Sequence, residues 1–136
     1  MKINKEELIA AAREARKKSY CPYSHFAVGA ALLTESGKIY TGANIENASY
    51  TPTVCAERVA IFTAIHDGER KFSAIAISGG KTGEEPSSAF YPCGVCRQVL
   101  SEFCDADLPV IVDTPDGVVT LTMRELYPHG FTKEQM

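Results

Sequence analysis

Residues 26–33, Phe-Ala-Val-Gly-Ala-Ala-Leu-Leu, carry no polar side chain, so neither alternating set along an extended chain is suited to face water. A strand of this kind belongs inside a sheet covered on both faces, and covering both faces calls for helices above and below it. The rest of the chain supplies the parts. Glu35-Ser36-Gly37-Lys38 is a turn signal, after which residues 38–43 are expected to pair back as an antiparallel second strand. Residues 73–78 and 108–113 are further apolar strand segments, each following a helical segment. Residues 118–121, beyond the Pro115-Asp116-Gly117 turn, read as an edge strand. At the start, Asn4 and Glu7 have capping-box spacing, and Leu8, Ala11, Ala12 and Ala15 recur as one face of an amphipathic helix. The order α-β-β-α-β-α-β-β-α implies an α/β fold of three layers, α/β/α, with a mixed five-stranded sheet. A single domain is expected over residues 1–136, with a polar loop at 79–91.

Two segments carry the chemistry. Cys55-Ala56-Glu57 and Pro92-Cys93-Gly94-Val95-Cys96 together offer three thiolates and one spare carboxylate. The residues after Thr53 read as a helix whose Val59, Ala60, Ile61, Phe62, Ala64 and Ile65 are apolar almost all round, which predicts burial between layers. Cys55 and Glu57 then fall at its first turn. Cys93, Cys96, Val99, Leu100 and Phe103 share one face of a second helix, so both thiols are expected to point towards the core. Helix N-termini favour anions and lower thiol pKa values, which helps form the thiolates that a metal requires. Structural zinc sites usually fill all four positions with Cys or His, whereas catalytic sites use three protein ligands. Three cysteines with a non-ligating Glu57 fit the open kind, and one Zn2+ per chain is expected.

Charge and termini narrow the partners. With 14 Lys and Arg against 17 Asp and Glu, and no basic cluster beyond Arg16-Lys17-Lys18, the phosphate-neutralising stripe of a nucleic-acid binder is missing. The start, Met1-Lys2-Ile3-Asn4-Lys5, lacks the apolar core of a signal peptide, and no apolar run reaches membrane-spanning length. A cytoplasmic protein with a small-molecule substrate, no nucleic acid and no membrane partner is expected. Five cysteines in a reducing compartment speak for metal binding rather than a disulfide framework. Cys104 reads as a small buried residue, Cys21 as a free, oxidisable thiol, and His25, His66 and His129 as surface or satisfied histidines.

Cys55-Ala56-Glu57-Arg58 and Pro92-Cys93-Gly94-Val95-Cys96-Arg97-Gln98 resemble the motifs of the small homotetrameric, zinc-dependent cytidine deaminases. Cys21-Pro22-Tyr23-Ser24-His25-Phe26, Val28-Gly29-Ala30-Ala31-Leu32 and Asn44-Ile45-Glu46-Asn47-Ala48-Ser49-Tyr50 agree with that family in order and spacing. The likeness runs from the first helix to Phe131. It implies hydrolytic deamination of cytidine and 2'-deoxycytidine to the uridines plus ammonia, as in pyrimidine salvage. Cys55, Cys93 and Cys96 would hold the zinc, and Glu57 would be the catalytic proton carrier. Arg58 would offset the surplus negative charge of three thiolates around one divalent ion. Phe26 would pack on the pyrimidine, Asn44 and Glu46 would meet the ribose hydroxyls, and Ala56 would line the substrate pocket. Phe131 would complete the pocket of a neighbouring subunit in a homotetramer with shared active sites. Tyr91 stands where the family more often has Ser, which bears on substrate breadth.

Two other readings remain at this level. Deaminases of blasticidin S share Pro-Cys-x-x-Cys-Arg-Gln, but commonly have an apolar residue at the position of Arg58 and lack the Asn44-Ile45-Glu46-Asn47 run. A zinc-stabilised binding module without catalysis would leave Glu57 inert.

Overall fold

The structure is a computed structural model that describes residues 3–86 and 88–136. Met1 and Lys2, which open the N-terminal segment considered above, and Ser87 of the expected polar loop lie outside the described residues.

The chain begins with α1 (Lys5–Ala15), whose Asn4 side chain accepts the Glu7 N–H at 3.1 Å and satisfies one donor of the open first turn. After a short 3-10 turn come β1 (Phe26–Thr34), β2 (Ile39–Ala43), α2 (Ala56–His66), β3 (Phe72–Lys81), α3 (Gly94–Phe103), β4 (Pro109–Thr114), β5 (Gly117–Thr122) and α4 (Met123–Leu126). The five strands form one sheet in the order β2-β1-β3-β4-β5. All neighbouring pairs are antiparallel except β3 and β4, which run parallel. The expected element order and the mixed sheet are both observed.

Alternation along the inner strands divides two cores. Ala30 and Leu32 of β1, Ile75 and Ile77 of β3, and Val110 and Val112 of β4 face α2 and α3. Ala31 and Leu33, Ala74 and Ala76, and Ile111 face α1, meeting Leu8, Ile9 and Ala12. Unbroken apolar strands thus have a helix layer on each side, and burying both sets is the main force that assembles the sheet.

Two close approaches set the helices down. A Cβ at Gly29 would stand 2.1 Å from the Ala12 carbonyl oxygen, so α1 lies directly against β1. A Cβ at Gly42 would stand 2.5 Å from the Ala56 carbonyl oxygen and 2.6 Å from the Ala60 nitrogen. The first turns of α2 therefore rest on the backbone of β2, and their height above the sheet is set there.

Two expectations need correction. The loop expected from Gly79 starts later, because β3 continues through Gly79 and Gly80 to Lys81, paired opposite Val28, Ala27 and Phe26. Glycine lowers strand propensity, yet the ladder with β1 overrides it, and Gly79 makes room for the Phe90 ring. Helix α2 is not buried all round. It turns Ala56, Glu57, Ala60, Ile61 and Ala64 inward, while Phe62 is 48% exposed and Val59 and Ile65 are half-buried. A helix lying on a sheet hides one face within its own chain, so the outward apolar stripe has no cover there.

Candidate active site

The N-termini of α2 and α3, two helices on the same side of the sheet, converge. Cys55 is the N-cap residue of α2 and Cys93 that of α3, and neither uses its side chain to cap. Their sulfurs are left free to meet 3.6 Å apart. Cys96, one turn into α3, completes a group whose ligand atoms all lie within 4.8 Å of one another. Sulfurs held about 2.3 Å from one tetrahedral zinc stand roughly 3.8 Å apart, so the trio fits that ion with little adjustment. Three thiols from helix N-termini are also the donor chemistry that zinc prefers.

The three sulfurs differ in exposure. Cys96 is buried, Cys55 half-buried and Cys93 exposed. The expectation that both thiols of α3 point into the core is therefore half right, because an N-cap residue sits outside the helical turn and Cys93 remains open to solvent. The site is closed from beneath and open on one side.

Its electrostatics follow from the packing. The close approach of the Cys55 and Cys96 sulfurs draws the Cys55 thiol well below its ordinary value and raises that of Cys96. The Arg58 guanidinium adds to the pull on Cys55, donating from Nη2 to its Sγ at 3.5 Å. Arg58 Nε is the one buried side-chain polar atom among the described residues without a partner. Glu57 is only 4% exposed. Burial, and then the negative Cys55, push its carboxyl up to about 7, against the opposing pull of its own backbone N–H and of Arg58. A carboxyl with a pKa near neutrality both accepts and releases protons readily.

The segment before β1 anchors the two polar side chains expected to meet a substrate. Asn44 follows β2 directly. Its Oδ1 accepts from the Val28 N–H at 2.9 Å and from Ser19 Oγ at 2.6 Å, and its Nδ2 donates to the Phe26 carbonyl at 2.9 Å. One of the two amide hydrogens on Nδ2 therefore remains for a ligand. Glu46 Oε1 accepts the N–H groups of Tyr23 and Ser24 at 3.0 and 3.1 Å, while Oε2 accepts from Ser24 Oγ. Burial alone would raise the Glu46 pKa, but the hydrogen bonds from Ser24 and Tyr23 outweigh it and hold the group ionised. Asn44 and Glu46 thus face the same 19–28 segment, as their spacing suggests. Phe26, 37% exposed, lies 5.8 Å from the Phe90 ring, centroid to centroid.

Ala56 is fully buried at the first position of α2. Phe131 lies in the C-terminal segment with its carbonyl accepting from Gln98 Nε2 at 2.8 Å and its ring 57% exposed. Tyr91 is exposed just before the metal motif. Cys104 ends α3 half-buried, its thiol pushed up to about 12 by burial. Cys21 is buried beside Thr82, with Sγ and Oγ1 3.3 Å apart.

Sequence reasoning missed Ser19 and Ser24 as anchors of Asn44 and Glu46, and Phe90 as the neighbour of Phe26. It assigned no role to Arg97 and Gln98, although both lie in the quoted motif. A polar residue at fixed distance from a motif gave no sign of which distant backbone atom it would meet.

The family model for the cytidine and deoxycytidylate deaminase zinc-binding region matches residues 2–112. The chain is 48% identical to the cytidine deaminase of Sporosarcina psychrophila over 132 residues, covering 96% of this chain and 93% of that one. It is more distantly similar, at 32% identity over 130 residues, to a blasticidin-S deaminase of Bacillus cereus, covering 93% and 91%. Among solved structures, the crystal structure of cytidine deaminase from Burkholderia pseudomallei superimposes with a TM-score of 0.86 at 42% identity, covering 95% of this chain and all of that one.

Proposed function

Since the chain belongs to the cytidine and deoxycytidylate deaminase family, we propose that it is a zinc-dependent hydrolase that converts cytidine and 2'-deoxycytidine, with water, to the corresponding uridine and ammonia. The observation that carries this reading is the gathering of three thiols within 4.8 Å at the start of a helix whose Glu57 carboxyl is almost fully buried. A purely structural zinc site has no use for such a carboxyl, because burying it costs stability with nothing in return.

Cys55, Cys93 and Cys96 would hold the ion, and the chemistry that zinc supplies when bound is Lewis acidity that lowers the pKa of water. Glu57 would take one proton from the attacking water and deliver it to N3 of the ring, then take the second from the resulting C4 hydroxyl and deliver it to the departing amine. Its burial keeps it off the metal-free surface and tuned for that exchange. Phe26 would lie against the pyrimidine, with Ala56 close by at the start of α2. The free hydrogen of Asn44 Nδ2 and the remaining acceptor capacity of the ionised Glu46 would bind sugar hydroxyls, so a base without its sugar would forgo both contacts. The helix N-termini and Arg58 would balance the charge of three thiolates.

Assembly into homotetramers that share active sites belongs to the same reading, with Phe131, which is exposed, reaching a neighbouring pocket. A cytoplasmic setting is supported by free thiols that need reducing conditions, and pyrimidine salvage by the nucleoside substrate. Residues 1–136 would act as one domain. The blasticidin S reading is less well supported, since Arg58 and the Asn44–Asn47 run both depart from its pattern and the likeness is weaker.

The role of Glu57 is tested by Glu57→Gln. The variant is expected to keep about one zinc per chain while ammonia release from cytidine falls by at least about 10²-fold. Turnover close to wild type would overturn the proposal.

A further inference from the structure

We propose that Gln98, assisted by Arg97, is a positioning residue that holds the C-terminal segment so that the ring of Phe131 stands ready to enter a nucleoside pocket. This rests on the reading above that Phe131 serves such a pocket. Segment 127–131 has little to hold it by itself. It follows α4, and among the described residues no backbone-to-backbone hydrogen bond involves residues 128–131. Side chains of α3 take over. Gln98 Nε2 donates to the Phe131 carbonyl at 2.8 Å, and Gln98 Oε1 accepts from the Tyr127 hydroxyl. Arg97 Nε donates to the Pro92 carbonyl at 2.7 Å, and its Nη1 to the Leu126 carbonyl at 2.6 Å. Two consecutive side chains thus fasten both ends of the segment, and Arg97 also fastens the residue before Cys93.

The path between those ends is equally constrained. His129 takes a left-handed backbone, φ 57°, uncommon outside glycine. A Cβ at Gly130 would stand 2.3 Å from the Tyr127 ring, so that ring is pressed on the backbone at Gly130 while its hydroxyl is held by Gln98. The outcome is a fixed Phe131 backbone bearing a ring that is 57% exposed. A ring anchored in this way loses less freedom on docking than one on a loose tail, which favours binding without new contacts. Because Arg97 spans Pro92 and Leu126, the metal-binding turn and the aromatic arm keep one register.

The test uses zinc-loaded wild type, Gln98→Ala, Tyr127→Phe, Phe131→Ala and the Gln98→Ala/Phe131→Ala double variant. Zinc content, kcat and KM for cytidine, and the rate of limited proteolysis within residues 127–132 are measured. Gln98→Ala is expected to speed cleavage there and to raise KM about fivefold, as for the loss of one or two hydrogen bonds. Zinc content and kcat should stay near wild type. Tyr127→Phe, which keeps the ring packing, should shift KM the same way by less. Phe131→Ala should raise KM about tenfold, and Gln98→Ala should add nothing in that background. Unchanged cleavage in Gln98→Ala, or effects that multiply in the double variant, would overturn the clamp. An unchanged KM in Phe131→Ala would overturn the assignment at its premise, and the cleavage data separate the two failures.

Discussion

Gly42 is remote in sequence from every cysteine, yet replacing it should damage the metal centre. In Gly42→Ala the new methyl would lie 2.5 Å from the Ala56 carbonyl oxygen, 2.6 Å from the Ala60 nitrogen and 2.9 Å from Val59 Cβ. Two of these atoms are backbone, so no side-chain rotation relieves the clash. The first turns of α2 must retreat by about 1 Å to restore ordinary contact distances. Overpacking of this kind costs about 1–3 kcal/mol, which for a domain of this size lowers Tm by roughly 3–12 °C. The effect on catalysis should be larger than the stability loss suggests. Cys55 and Glu57 ride on α2, whereas Cys93 and Cys96 belong to α3, so the shift separates one thiol from its partners and moves the carboxyl. A displacement of about 1 Å can cost about 10²-fold in rate. Thermal unfolding, zinc content by metal analysis, and ammonia release from cytidine measure the three consequences. A variant with wild-type turnover and unchanged Tm would refute the claim that β2 sets the height of α2.

Further outcomes follow from the charges. Arg58→Ala should retain most zinc but lose about tenfold or more in kcat, because the Cys55 sulfur loses its donor and the thiolate charge its balance; kcat equal to wild type in a zinc-replete variant would exclude that role. On the opposite face, Arg13 Nε and Nη2 hold Asp113 at 2.8 and 2.9 Å, and Ser78 Oγ donates at 2.8 Å. Burial would raise the Asp113 pKa, but Arg13 and Ser78 hold it below the usual carboxylate range. A depressed carboxyl contributes stability above its unfolded pKa and loses it as pH falls through the folded value. Arg13→Ala should therefore cost about 1–2 kcal/mol at pH 7, Arg13 being half exposed, and the deficit should shrink once pH drops below about 4. Urea unfolding at both pH values reads this directly, and a deficit independent of pH would contradict it.

The strands and thiols were legible in sequence for the same reason, since each depends on local pattern. Residues 26–33 cannot be solvated on either side, and Cys93 and Cys96 are bound to one helical turn. Whether β3 would stop at Gly79 was not legible, because the pairing with Phe26, Ala27 and Val28 that extends it is a long-range contact. The outward Phe62 misled in the same way, since an apolar residue looks alike whether its own chain or another surface covers it. For Asn44 and Glu46 the sugar-binding role is proposed from resemblance. Their bonds to Ser19, Ser24, Phe26 and Val28 became visible only once the sheet brought the 19–28 segment beside them.

The central claim is that three thiols and Glu57 form one metal-dependent deaminating site. Ammonia release from cytidine should be measured on purified protein as isolated, after removal of metal by a chelator, and after zinc is restored. The account predicts release that disappears on stripping and returns with about one zinc per chain. Release that survives complete removal of zinc, or none from protein carrying its zinc, would contradict it.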